Sequence, residues 1–229
     1  MRLMSLTLAL AIGALGACSD STDLDDEDDQ ARIRVVHASP DAPNVDVLID
    51  GAQVVTNAAF TESSSYLDVD AGSRVLRVEA VGTNTAAITT TLNAVGATDY
   101  TVIAANRLAS IEPLVLTDDN TAPTAGNIKL RVVHGAPGAP NVDVYITAPT
   151  ADLATATANF SNVAFRGFSP YVSVPAGAYR VRVTTAGTRT VVIDSGTLTL
   201  TTGQIRTAIA RDITGGGAPF GLILLSDLN

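Results

Sequence analysis

The side chains best suited to chemistry lie in one short motif that occurs twice in the chain. In the first copy, His37, Asp41 and Asp46 surround a proline-rich segment, and in the second copy His134 and Asp143 occupy the matching places. An imidazole beside carboxylates could bind a metal ion or support general acid–base catalysis. The motif therefore has to be weighed as a catalytic site before any structural role is assigned to it.

The same motif also has strong turn chemistry. Prolines fix φ, while Asp41, Asn44 and the matching Asn141 can bond to nearby backbone amides. His37 has the same strand parity as Ile33 and Val35, so we expect it to cap the edge of the core and donate to a carbonyl or to Asp46. One histidine per copy makes a poor zinc site. We predict a structural motif, with no metal and no cofactor.

Other catalytic constellations are weak. A Ser-His-Asp triad would have to use one of only two histidines, and no Gly-x-Ser-x-Gly elbow occurs. Tyr66 and Tyr171 could stack on sugars, but core-edge tyrosines are commoner. Four arginines could form a basic stripe for an anionic glycan, although a solvated sheet face is the alternative we favour; they are Arg74, Arg77, Arg180 and Arg182. We predict no catalytic residues.

The N-terminus predicts export and lipidation. Arg2 precedes the uncharged apolar run Leu3 to Leu15, which is too short to span a bilayer but fits a signal peptide. It ends in Leu-Gly-Ala-Cys at Cys18, which resembles the lipobox of bacterial lipoproteins, and Cys18 is the only cysteine. The resemblance implies cleavage before Cys18 and acylation of its thiol. The alternative is an ordinary secretory peptide cut after Ala17.

The acidity of the chain belongs to a tether. The formal net charge of the 229 residues is −9, and seven of the 23 acids lie between Asp20 and Asp29. From Gln30 onward there are 13 basic and 16 acidic residues, so the body is nearly neutral. A nucleic-acid binder would need a basic face, and that class is disfavoured. The acidic segment predicts an extended, solvated spacer.

The sequence after the acidic segment consists of two copies of one repeat. The run RVVHASPDAPNVDVLID begins at Arg34, and RVVHGAPGAPNVDVYIT begins at Arg131. The second copy carries eight extra residues around 148–168. We divide the chain into five segments, namely a signal peptide (1–17), the lipidated cysteine and tether (18–30), a first repeat (31–119), a linker (120–127) and a second repeat (128–229).

Both repeats predict β-structure. Val45, Val47 and Ile49 alternate with other residues, as in a half-buried strand, and Asp50-Gly51 is a hairpin turn. About seven short strands are expected in each repeat, without a sustained helical period. The pattern predicts an all-β chain of two tandem antiparallel β-sandwich domains of immunoglobulin-like type. A small barrel is the alternative.

The motif from His37 to Val47 resembles the bacterial and archaeal family called domain of unknown function 4397. The second copy resembles it from His134 to Val144, departing at Gly138, where the first copy has Asp41. The resemblance covers about 31–229 and implies an exported or cell-surface protein with tandem repeats. It implies no activity, because none is assigned to the family.

We therefore expect a non-catalytic binding or structural module of the cell envelope, in the outer membrane if the source is a diderm bacterium. Its partners would be the membrane, through the lipid anchor, and an envelope protein or polysaccharide. The alternative is a secreted metal-dependent hydrolase that uses the loop with His37, Asp41 and Asp46.

Overall fold

A computed structural model describes residues 29–227. The expected signal peptide, the lipidated Cys18 and nearly all of the acidic tether lie outside the described residues. Within 29–227, no helix is both long and apolar enough to cross a membrane.

The first domain contains eight strands, one more than the approximate count expected from the sequence. The strands are β1 (Gln30–His37), β2 (Val45–Ile49), β3 (Ala52–Ala58), β4 (Leu67–Asp70), β5 (Gly72–Ala80), β6 (Ala86–Ala94), β7 (Asp99–Ala105) and β8 (Glu112–Asp118). A 3₁₀ turn, Leu108–Ser110, precedes β8. The predicted hairpin joins β2 to β3, with Asp50 and Gly51 at φ 50° and 84°. Both values belong to the type I′ turn, which matches strand twist.

The second domain repeats this order. Its strands are β9 (Asn127–His134), β10 (Val142–Thr147), β11 (Phe160–Val163), β12 (Val172–Pro175), β13 (Gly177–Thr185), β14 (Val191–Leu200), β15 (Ile205–Arg211) and β16 (Gly221–Ser226). Residues 119–126 therefore separate the strands of the two domains.

Each domain is a sandwich of two four-stranded sheets, as the sequence predicts. We name them by position: the first inner sheet has the order β4-β1-β7-β8 and the first outer sheet β3-β2-β5-β6. The second inner sheet is β12-β9-β15-β16 and the second outer sheet β11-β10-β13-β14. The prediction of wholly antiparallel sheets needs correction at one place in each domain, because β1 pairs parallel with β7 and β9 pairs parallel with β15.

The central strands of the inner sheets are buried on both faces. In β1, Ile33 and Val35 belong to the core between the sheets of the first domain, while Val36 belongs to a second apolar cluster on the opposite face. Strand β7 is buried along its whole length. Central parallel strands of this kind read as near-continuous apolar runs. The alternation of Arg32, Ile33, Arg34 and Val35 is typical of a half-buried strand. Arg34 is nevertheless only 2% exposed, because both faces of β1 are covered.

The second cluster joins the two domains. It contains side chains from the inner sheets of both domains, namely Val36, Ala38, Ile103, Ala105, Leu114 and Leu116 from the first, and Val133, Ile209, Ile223 and Leu225 from the second. The molecule is thus four sheets deep, with the two inner sheets packed face to face. Since β1, β7, β9 and β15 end on the same side of this stack, the loops that follow them form one end of the molecule. The opposite end carries Gln30 and the linker.

The extra residues of the second repeat cover its outer sheet. Arg182 projects from β13 and donates from Nη2 to the carbonyl of Ala151 at 2.8 Å, and Arg180 donates to the carbonyl of Pro149 at 3.4 Å. Under this segment Tyr145 is 3% exposed and Arg182 is 7% exposed. The insertion therefore acts as a strap over a sheet face that is more open in the first domain.

Candidate functional site

The two motif histidines hold the loops that follow them. His37 and His134 end β1 and β9, and each is 2% exposed. Nε2 lies 3.0 Å from a proline carbonyl oxygen, that of Pro43 in the first domain and Pro140 in the second. Nδ1 lies 3.4 Å from a backbone N–H two residues along the chain. A neutral ring with its proton on Nε2 satisfies both contacts, so each histidine closes its own loop. Of the two partners expected for His37, the carbonyl is the one observed.

Burial also sets how these histidines titrate. Loss of solvation lowers the pKa of His37 below its ordinary 6.5, against the opposing effects of the Pro43 carbonyl and of Glu62. The pKa of His134 is lowered for the same first reason, with the Pro140 carbonyl and Asp212 opposing it. Nδ1 now accepts a backbone N–H, and protonation would turn it into a donor that faces that N–H.

We expect the protein to lose stability as the pH falls below about 6.5, the ordinary pKa of histidine in an unfolded chain. In that range the unfolded chain binds protons that the folded protein does not, so the free energy of unfolding rises with pH and falls on acidification. Thermal unfolding measured between pH 7.5 and 5.5 tests this. A His37→Gln/His134→Gln variant should show a flatter dependence, and an unchanged slope in that variant would contradict the assignment.

The asparagine and aspartate of the motif hold a neighbouring strand. Asn44 donates from Nδ2 to Oδ1 of Asn57 at 3.0 Å, and Oδ1 of Asp46 accepts the backbone N–H of Asn57 at 2.8 Å. Asn57 has φ 56°, in the left-handed region, beside an irregularity in the β2–β3 register. Such bulges bend an edge strand, and asparagine tolerates this conformation.

The second copy makes the same arrangement. Asn141 donates to Oδ1 of Asn162 at 2.9 Å, and Oδ1 of Asp143 accepts the N–H of Asn162 at 2.7 Å. Asn162 has φ 53°. The second carboxylate oxygen of Asp143 accepts the N–H of Gly187 at 2.9 Å. The Asn-Val-Asp part of the motif therefore fixes a bulge in the adjacent edge strand of each outer sheet.

Asp41 explains the one departure between the copies. In the first domain, Oδ1 of Asp41 accepts the N–H of Leu108 at 2.7 Å, which joins the loop after β1 to the loop after β7. In the second domain the carboxylate belongs instead to the loop after β15. Asp212 in that loop accepts the N–H of Gly138, in the loop after β9, at 3.1 Å and the N–H of Gly217 at 2.7 Å. Each domain thus has one carboxylate that joins the same two loops.

The structure does not bring the motif side chains together as a reaction centre. His37 bonds to Pro43, Asp41 to Leu108 and Asp46 to Asn57, each through a separate backbone group. Across residues 29–227, no cluster of three or more histidine, cysteine, aspartate or glutamate side chains could hold a metal ion.

The four arginines that could have formed a basic stripe have partners of their own. Arg74 pairs with Asp50 at 2.9 Å, and Arg77 pairs with Glu79 at 2.6 Å. In the second domain, Arg180 pairs with Asp194 at 2.5 Å, and Arg182 holds the strap. Arg74, Arg77 and Arg180 are partly solvated and paired, whereas Arg182 is buried under the strap, so these contacts do not favour a continuous surface for anionic glycans.

Sequence reasoning missed a buried charge cluster between the inner sheets. Arg34 pairs with Asp227 of the other domain at 2.6 Å, and Arg131 pairs with Asp118 at 2.6 Å, so the two bridges cross the interface in opposite directions. Nη2 of Arg34 also lies 3.8 Å from Asp118. All four side chains are at most 3% exposed.

Hydroxyl groups complete this cluster. Thr101 and Tyr66 each donate to Oδ2 of Asp118 at 2.6 Å. On the other side, Thr207 and Tyr171 donate to Oδ2 of Asp227 at 2.7 and 2.8 Å. Burial raises the pKa of both tyrosines, aided by the nearby carboxylates, which keeps the phenols protonated as donors.

Each arginine also lies over the tyrosine of its own domain, 4.6 Å from the ring centre. The tyrosines therefore belong to the interface between the domains. A signal was present in the sequence, because arginine, tyrosine and aspartate recur at matching places in both repeats.

These features define a class of protein with two tandem β-sandwich domains, built on one repeated motif and joined into a single body through their inner sheets. A family model described as domain of unknown function (DUF4397) matches residues 31–145 and 147–229. The chain belongs to this family, which confirms the resemblance seen in its motif. The two matched ranges meet near the end of β10, whereas the strands divide between Asp118 and Asn127.

Among solved structures, the chain is similar to the Bacillus anthracis TIE protein, with 12% identity, a TM-score of 0.25, and coverage of 80% of this chain and 34% of that one. It is also similar to a leucine-rich repeat protein from Bacteroides thetaiotaomicron, with 14% identity, a TM-score of 0.22, and coverage of 82% and 27%. This chain thus spans about a third or less of the length of either protein.

A third solved structure is described as alpha-glucan binding by a streptococcal virulence factor, with 9% identity, a TM-score of 0.27, and coverage of 78% of this chain and 92% of that one. At these scores the likenesses define neither a shared function nor a shared topology. No match was found among curated proteins.

Proposed function

We propose that the chain is an exported, lipid-anchored protein of the cell envelope that works as a non-catalytic binding or structural module. The proposal of a non-catalytic role is supported by the hydrogen bonds that the motif side chains make. In both repeats the histidine, asparagine and aspartate bond to neighbouring loop or strand groups, leaving no convergent set of reactive groups among them. Residues used in this way shape a scaffold, and function then depends on the surfaces that the scaffold presents.

The position at which β1 begins supports a particular orientation of such a module relative to the membrane. Strand β1 begins at Gln30, at the end of the stack opposite the loops after β1, β7, β9 and β15. A tether from Cys18 to Asp29, if fully extended, would reach roughly 40 Å. Anchoring at Cys18 would therefore turn the loop end away from the membrane, where a protein or polysaccharide could contact it.

Attachment through Cys18 is tested by replacing the residue. We expect Cys18→Ala to abolish incorporation of a labelled fatty acid and to release the protein from the membrane fraction, because several acyl chains provide the stable anchor. Metabolic labelling followed by fractionation measures both effects, with Ser19→Ala as the matched control. Membrane retention of the Cys18→Ala protein would contradict the lipoprotein assignment. In a separate experiment on the unmodified protein, crosslinking on intact cells would identify the partner.

A further inference from the structure

The face that joins the two domains has an approximate two-fold relation. Every central residue of the first inner sheet has an equivalent in the second, at the same place in the strand pairing. The equivalent pairs are Arg34 and Arg131, Val36 and Val133, Thr101 and Thr207, Ile103 and Ile209, Leu114 and Ile223, Leu116 and Leu225, and Asp118 and Asp227. The face of one domain is therefore complementary to a second face with the same residues, as in the isologous interface of a homodimer.

Contacts at the loop end make the pairing selective for one first domain and one second domain. Arg166 donates to Glu112 at 3.0 Å and to the carbonyl of Pro113 at 3.4 Å. The residues equivalent to Arg166 and Glu112 are Thr61 and Gly221, so two like domains would lack this ion pair.

Two more contacts cross between the domains at the loop end. The N–H of Gly215 donates to the carbonyl of Pro40 at 2.7 Å. The guanidinium of Arg211 lies 5.8 Å from the ring centre of Phe60. The residue equivalent to Arg211 is Ala105, so two first domains would lack this contact. The ion pair of Arg166 with Glu112 therefore favours unlike domains over both like pairings, and the contact of Arg211 with Phe60 favours them over two first domains.

Nothing in these contacts requires that the two domains belong to one chain. The domains are joined by one segment, residues 119–126, and most of its side chains are exposed. Its contribution to pairing is to keep the partner domain close, which for a short flexible linker corresponds to an effective concentration on the order of millimolar. A second chain at comparable local concentration offers the same complementary face.

We infer that this face is also an interaction surface for a second copy of the chain. The first domain of one chain pairs with the second domain of the other, and the exchanged dimer re-forms both sets of contacts, including the bridges of Arg34 to Asp227 and Arg131 to Asp118. The buried charges act against wrong partners, because any face without the matching carboxylates would leave an arginine buried and unpaired. The inference does not depend on the proposed function.

The test uses chains that each carry one cysteine. In the full chain with Cys18→Ala, one variant carries Glu112→Cys and another carries Arg166→Cys, at positions that face each other across the interface. The two are unfolded together, refolded at high protein concentration and treated with a short bifunctional maleimide. We expect a covalent product with the mass of two chains, because the thiol introduced at position 112 of one chain then meets the thiol introduced at position 166 of the other.

Two controls make either outcome decisive. A single chain carrying both Glu112→Cys and Arg166→Cys should crosslink internally when dilute, which shows that the reagent spans the two positions. A mixture of Arg166→Cys with Thr91→Cys, an exposed position on the first outer sheet, should give no two-chain product. If the internal control reacts and the Glu112→Cys mixture yields no more two-chain product than the Thr91→Cys mixture, the inference is overturned.

Discussion

Asp118→Ala is expected to lower the free energy of unfolding by about 3–5 kcal/mol, the usual cost of leaving a buried charge without its partner. The change removes the carboxylate that pairs with Arg131 at 2.6 Å and that accepts the hydroxyls of Thr101 and Tyr66. Because these groups are largely enclosed by the packed inner sheets, the arginine and both hydroxyls lose their acceptor together. Urea denaturation of the purified protein measures the loss.

The matched control is Glu112→Gln, which removes a solvent-exposed ion pair between the domains. Its carboxylate and the guanidinium of Arg166 are 37% and 39% exposed, so the expected loss is at most about 1 kcal/mol. Equal losses from Glu112→Gln and Asp118→Ala would show that burial of the charge does not matter. Asp227→Ala should match Asp118→Ala, since it removes the same set of contacts on the opposite side of the approximate two-fold relation.

A double variant separates the charge from the packing. Replacing Asp118 with leucine and Arg131 with methionine removes both charges and keeps much of the volume, so its loss should be well below that of Asp118→Ala. If the double variant is as unstable as the single one, the charged cluster stabilises the interface through more than the pairing of Arg131 with Asp118. The ion pairs would then do more than select the partner face.

The sequence predicts local features of this fold well. The Asp50-Gly51 turn and the strands follow from neighbours a few residues away, and the two repeats follow from comparing one half of the sequence with the other. The backbone contact of His37 could also be anticipated. His37 has strand parity with buried residues, and a single imidazole near a proline turn has a backbone acceptor within reach.

The interface between the domains could not be predicted in the same way. Alternating residues such as Arg32, Ile33 and Arg34 indicate one solvated face, and that is correct only when nothing packs there. Arg34 finds its partner at Asp227, 193 residues along the chain, so its burial depends on the packing of a second domain. The parallel pairing of β1 with β7 likewise depends on long-range topology, which alternation does not encode.

The position of the loop carboxylate shows how the two repeats diverged without changing the contact it makes. Position 106, which is equivalent to Asp212, is an asparagine in the first domain, and position 138, which is equivalent to Asp41, is a glycine in the second. A Cβ atom at Gly138 would lie 2.6 Å from Oδ2 of Asp212 and 2.9 Å from the Cα atom of Gly217. The second domain therefore has room for a carboxylate only on the loop after β15.

Gly138→Asp, which restores the residue of the first repeat, should for this reason destabilise the protein by about 3 kcal/mol, through overpacking and through a second carboxylate beside the buried Asp212. Chemical denaturation measures the loss, and Asp41→Ala, which removes one local hydrogen bond, should cost only about 1 kcal/mol. Combining Gly138→Asp with Asp212→Asn recreates the residue pair of the first domain and removes the charge repulsion but not the close contact with Gly217, so it should recover only part of the lost stability. A double variant no more stable than Gly138→Asp alone would show that the two loops do not share a single carboxylate position.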